Sequence, residues 1–392
     1  MRFFKDLTLS TFVAGFVSVL VGLTSSVAIV FQAALAFGAT PAQISSWMWA
    51  LGLGMGLCSL VPSLILKKPV MVAWSTPGAA VLATAGALGG FTMGDAVGAF
   101  MVSAALIFLA GVTGWFERVM GKIPQEIAAA LLAGVLAKFG MQAFSAAETA
   151  PALILSMLLT YLLARRWLPR YAVMLTLAAG IACAALQGKM NWSAIQWELA
   201  VPVFTMPTIS LAAVMSLALP LFVVTMASQN LPGVAVIRAS GYDLPVSKLI
   251  SMTGLATFVL APFGGYALNF SAITAAICMG PEAHPDPAKR YTAAATCGII
   301  YILVGIFGAV VTGLLIAFPK ELVMGIAGLA LLGSIGSGLA NAVRDESHRE
   351  AALITFLVTL SGVTLAGIGS AFWGVVAGSV ALFVQQYGRK NH

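Results

Sequence analysis

Two short stretches place hydrogen-bonding side chains and helix-starting signals inside long apolar runs. In Val70-Met-Val-Ala-Trp-Ser-Thr-Pro-Gly-Ala-Ala an extended-leaning stretch meets Ser75-Thr76-Pro77-Gly78 and only then reads as a small-residue helix. Ser or Thr ahead of Pro is a helix cap followed by the first helical position. In Pro262-Phe-Gly-Gly-Tyr-Ala-Leu-Asn-Phe-Ser-Ala-Ile-Thr the order repeats, with Asn269 or Ser271 as the cap of a helix to about Gly280. Two half-helices starting inside an apolar layer would aim unpaired N–H groups and two partial positive charges at one spot, and an anion is the natural occupant. The plainer reading is that Pro77 and Gly264-Gly265 kink helices for packing.

Other polar residues could join such a site. Gln229 and Asn230 offer two amides to a ligand's oxygen atoms, and read equally well as the polar end of a helix stopped by Pro232 and Gly233. Ser25 and Ser26 lie near the middle of the first apolar run, where hydroxyls also bond their own backbone or tie helices together. Trp74, Tyr266 and Phe270 flank the two breaks and could stack an aromatic ring. Of the carboxylates only Glu126 enters an apolar run, in a first helical turn after Pro124 where the helix dipole accounts for it. Glu282, His284 and His348 fall in loops and His392 in the tail, so no buried acid or imidazole is expected as a proton carrier. Phosphate-loop, HExxH, GxSxG and Cys/His-cluster patterns are absent from the sequence, which removes ATP-driven pumping and hydrolysis from consideration and implies no cofactor or metal.

The elements that must position these groups are membrane helices. Of the 392 residues 60% are hydrophobic and only 8% are charged, about a third of the usual charged share. Runs of about 20 apolar residues recur along the whole chain. The net charge of +7 is scattered near run ends and forms no stripe, which excludes a nucleic-acid reader. Boundaries set by Gly, Pro and charge give an all-α polytopic membrane protein with fourteen segments: 8–36, 43–66, 70–90, 95–116, 124–147, 150–168, 170–187, 208–229, 245–263, 264–280, 289–318, 320–343, 347–368 and 369–388. With both termini cytoplasmic, all Lys and Arg but Lys138, Lys189 and Lys320 fall on the inner side, as the positive-inside rule requires. The connection 188–207 then lies outside, between halves 1–187 and 208–392. Seven segments per half force the second copy to sit inverted, with the broken segments third and tenth.

At Trp74-Ser-Thr-Pro-Gly-Ala-Ala, Ser228-Gln-Asn-Leu-Pro-Gly-Val and Gly264-Gly-Tyr-Ala-Leu-Asn-Phe-Ser-Ala-Ile-Thr the chain resembles the benzoate:proton symporter (BenE) family of bacterial inner membranes, over essentially its full length. The resemblance implies the fold of uracil permease, nucleobase-ascorbate and sulfate-permease transporters. In that fold segments 1–4 and 8–11 form a core domain carrying substrate, and segments 5–7 and 12–14 form a gate domain. The implied partners are a small aromatic carboxylate, a proton as coupling ion and the bilayer, and the resemblance admits a homodimer. Nucleobase members carry acids in the eighth and tenth segments. Here Gln229 and the Leu268-Asn269 pair stand at the comparable places, which suits an anion and leaves the proton-coupling residue unidentified. The expected site is Ser25, Ser26, Trp74, Ser75, Thr76, Pro77, Gly78, Gln229, Asn230, Tyr266, Asn269, Phe270 and Ser271. An anion channel and a carrier of a neutral nucleobase are the rival readings.

Overall fold

A computed structural model describes residues 2–24, 26–87, 89–120, 124–191, 199–307, 317–363, 365 and 370–386. Apart from one pair of three-residue strands, the described residues are helical and irregular. Five described helices are long and apolar enough to cross a membrane: Pro41–Leu66, Met93–Val112, Glu126–Glu148, Leu211–Ala239 and Val246–Phe263. A sixth, Lys320–Gly333 with Ile335–Ala342, bends by 40° at its break. Shorter apolar helices cover Leu9–Leu23, Ala172–Leu186 and Phe372–Gln385.

Local chemistry fixes several starts. Thr40 caps the helix at Pro41, its hydroxyl accepting from Gln43 N–H while Gln43 Oε1 accepts from Thr40 N–H. Thr92 and Asp95 repeat the device for Met93–Val112.

Three expected segments differ from the structure. The first, 8–36, is two helices, Leu9–Thr24 and Val27–Ala36, the second starting just after Ser26. The eighth does not close at Gln229-Asn230 but continues to Ala239. Pro232 has no N–H to give the carbonyl four residues earlier. The helix absorbs that loss in a wide turn over Met226–Asn230, where Leu231 N–H reaches back to Met226 O, instead of stopping. In the tenth, Asn269 sits in a strand and does not cap the helix. Ser271 Oγ accepts weakly from Thr274 N–H at 3.4 Å, and the helix runs Ile273–Met279.

Helix packing falls into two sets that meet where Leu231–Ala239 lies on Gln125–Ser145. In one, Pro41–Leu66 lies on Tyr291–Ile306, Met93–Val112 on Val246–Leu260, Val27–Ala36 on Thr76–Ala87, and Leu9–Thr24 on Ile273–Met279. In the other, Gln125–Ser145 lies on Lys320–Ala342 and on Arg349–Ser361, Pro151–Trp167 on Ala172–Leu186, and Arg349–Ser361 on Ser370–Gln386. Small residues permit the approach: a methyl at Gly52 would come within 2.6 Å of Gly305 Cα.

Candidate functional site

The two breaks come together. Strand β1 (Val72–Trp74) pairs antiparallel with β2 (Leu268–Phe270), with Val72 opposite Phe270, Ala73 opposite Asn269 and Trp74 opposite Leu268. Ser75 N–H to Ala267 O (3.0 Å) and Ser271 N–H to Met71 O (3.1 Å) extend the ladder at each end. Because the strands are antiparallel, the Thr76–Ala87 and Ile273–Met279 helices leave from opposite ends of this ribbon. Ser75 and Ser271, which precede the two helices, are four residues apart in register, about 13 Å at about 3.3 Å per residue. The two helices flank the ribbon at its opposite ends.

A two-stranded ribbon leaves its outer N–H and C=O groups unpaired, which is costly in an apolar interior. Hydroxyls from neighbouring helices fill that need. Ser63 Oγ accepts from Val70 N–H and Ser59 Oγ from Val72 N–H, each at 2.9 Å, one helical turn apart on Pro41–Leu66. On the opposite edge Thr257 Oγ1 accepts from Leu268 N–H at 3.1 Å and Asn230 Oδ1 from Phe270 N–H at 2.9 Å. Sequence reasoning passed over Ser59, Ser63 and Thr257. Their signal is a hydroxyl within an apolar helix that lies just ahead of each break.

Several expected ligand groups are thereby committed to the scaffold. Ser26 Oγ accepts from Trp74 Nε1 and donates to Gly22 O, both at 2.9 Å, tying the break in the first segment to β1. Ser75 caps its helix by accepting from Gly78 N–H (3.1 Å) and also accepts from the Thr225 hydroxyl (3.0 Å). Gly78 lets Leu221 close in, since a methyl there would lie 2.6 Å from Leu221 Cδ1. Pro77 occupies the first turn of the Thr76–Ala87 helix. Asn230 is fully buried and spent on β2, its amide nitrogen facing Met226 Sδ at 3.2 Å. Phe270 is buried in the ribbon, and Tyr266 stacks obliquely on Trp47 and Phe100 with centroids 5.9 and 5.8 Å away. Ser25 lies outside the described residues.

Fewer groups remain for a ligand. Half-buried Thr76 gives neither its hydroxyl nor its N–H to any described residue. Asn269, fully buried, donates through Nδ2 to Ala267 O at 3.0 Å, leaving Oδ1 without a partner. The Tyr266 hydroxyl and Thr274 Oγ1 are also buried and unpartnered. Gln229 is half-buried beside Asn230. Donors at Thr76 and a free acceptor at Asn269 suit a small carboxylate and a water or O–H beside it.

Glu282 also departs from expectation. It lies in a loop as the sequence suggests, yet its side chain is only 5% exposed and pairs with Arg165 at 2.9 Å. Glu126 starts its helix and faces His348 Nδ1 at 3.2 Å.

Residues 5–384 match the family model for benzoate membrane transport proteins (BenE). The chain belongs to this family. It is 50% identical over 374 residues to the inner membrane protein YdcO of Escherichia coli, covering 95% of each. It is 40% identical over 380 residues to the benzoate membrane transport protein of Acinetobacter baylyi, covering 97% of this chain and 96% of that one. Among solved structures it is similar to the transmembrane domain of the cyanobacterial bicarbonate transporter BicA, with TM-score 0.45, 12% identity and 98% of each chain covered. It is also similar to SLC26A9, with TM-score 0.47, 12% identity, 94% of this chain and 67% of that one. As a BenE member it is a helical membrane transporter and not an enzyme.

Proposed function

We propose that this BenE protein imports benzoate, or a close aromatic carboxylate, across the bacterial inner membrane by proton symport with alternating access. The pairing of the two breaks into one ribbon carries the reading: Asn269 lies in the ribbon, Thr76 opens the helix that leaves it, and Gln229 precedes Asn230, which bonds Phe270 N–H. The carboxylate sits at the start of the Thr76–Ala87 helix, which offers the Thr76 hydroxyl and N–H and the positive end of the helix dipole. Ser271 stands at the far end of the ribbon.

A fourteen-segment, seven-plus-seven inverted repeat is supported by the pattern of helix contacts. Numbered in order, segment 2 packs on 11 and 4 on 9, 1 on 3 and 8 on 10, 1 on 10 and 3 on 8, 6 on 7 and 13 on 14. Exchanging the halves, so that each segment takes the place of the one seven positions away, turns every pair into its companion. The same contacts favour a core of segments 1–4 and 8–11 moving against a gate of 5–7 and 12–14. The inward placement of most Lys and Arg favours cytoplasmic termini.

Competition binding to purified protein tests the substrate class. Labelled benzoate should be displaced by unlabelled benzoate and not by uracil or sulfate. Displacement by uracil at equal concentration would favour the nucleobase reading.

A further inference from the structure

Arg165 and Glu282 join the two helix sets. Arg165 stands in the last turn of Pro151–Trp167, with its guanidinium 5.9 Å from the Tyr161 ring centre. Glu282 follows the Ile273–Met279 half-helix, in a loop that the core side holds firmly. Buried Arg290 donates to Met279 O and His284 O, each at 2.7 Å, and the Tyr242 hydroxyl donates to Pro287 O at 2.9 Å. The Glu282 carboxylate lies beside Gly333 of Lys320–Ala342, where a methyl would collide with it. A cleft beside it is lined by Ser10, Ala14, Val173, Ile277 and Ala330.

The pair is lopsided. Arg165 is 41% exposed, whereas Glu282 is 5% exposed and its Oε2 has no partner. An ionised carboxylate so buried depends on its one counter-charge. Among the described side chains the packed elements supply no other. Leu9–Thr24 has no ionisable residue, and Ile273–Met279 has only Cys278. Ala172–Leu186 has only Cys183, far along from Val173, with Arg170 and Tyr171 on the turn ahead of it. Lys320–Ala342 has only Lys320 and Glu321, several turns from Gly333. Tyr161 and Arg165 represent Pro151–Trp167, with Arg166 set over the Trp167 ring.

We propose that Arg165–Glu282 is the inner gate of this transporter, a latch between the loop of one helix set and the end of the other that holds while the ion pair is intact. When the pair parts, the two helix sets are free to separate at this end. The transporter reading supplies only the place of this step in a cycle, and the latch itself is testable without substrate.

The test uses full-length protein in which Ser10, 4% exposed beside the cleft, is replaced by Cys and half-buried Cys183 by Ser. The rate of maleimide labelling is divided by that of the same cysteine in SDS-unfolded protein at the same pH. Glu282→Gln and Arg165→Gln should each raise the rate about tenfold, with monodisperse elution retained. The double variant should label no faster than either single one, as one shared interaction demands. Additive effects of the two substitutions, or parent-like slow labelling in both single variants, would overturn the proposal. If Glu282→Gln fails to fold, parent-like slow labelling by Arg165→Gln overturns it equally. A failure of benzoate binding would defeat the proposed substrate and leave these outcomes untouched.

Discussion

Thr76 separates a carboxylate site from a neutral one. It opens the Thr76–Ala87 helix with its hydroxyl and N–H uncommitted, whereas Ser26, Ser75 and Asn230 spend their polar atoms on the scaffold. Thr76→Ala removes a hydroxyl and keeps the N–H and the dipole, so benzoate affinity should fall about fivefold, the equivalent of about 1 kcal/mol. Thr76→Asp sets a fixed anion in the same place. Like charges about 4 Å apart at an effective dielectric near 20 repel by about 4 kcal/mol, and benzoate affinity should drop by about three orders of magnitude. Calorimetric titration of the purified variants reads both, and parent-like binding by Thr76→Asp removes the anion from this end of the ribbon.

The ribbon depends on hydroxyls that no ligand touches. Ser59→Ala leaves Val72 N–H buried without an acceptor, and Thr257→Val, of nearly the same shape, does the same to Leu268 N–H. Each should cost about 1–3 kcal/mol and lower the unfolding temperature of detergent-solubilised protein, while Ser59→Thr keeps the acceptor and should recover most of the loss. An unchanged melting curve for both would mean the ribbon edges find other partners. The breaks themselves were legible in the sequence, because Ser75-Thr76-Pro77-Gly78 and Gly264-Gly265 are local signals of backbone geometry. The pairing of β1 with β2 was not, since nothing in either stretch names a partner in the other half of the chain. Pro232-Gly233 misled for a physical reason: a wide turn at Met226–Asn230 absorbs the missing N–H and lets the helix continue. Glu282 misled as well, because a loop acid reads as solvated until the fold brings Gly333 and Arg165 around it.

For the whole molecule, topology and coupling are the quantities at stake. Gly188 and Ser347 are both exposed and are assigned to opposite faces of the membrane. Cysteines placed there should react oppositely with an impermeant thiol reagent, Gly188→Cys from outside intact cells and Ser347→Cys only after permeabilisation. Outside labelling of Ser347→Cys would invert the assignment of the termini and of the Arg165–Glu282 end. The central claim, proton-coupled import of an aromatic carboxylate, is tested most directly in proteoliposomes holding purified protein and an inward proton gradient. Labelled benzoate should accumulate above its external concentration in excess of protein-free vesicles, saturate with substrate and collapse on adding a protonophore. Uptake that only equilibrates, and does so equally with and without the gradient, would contradict it.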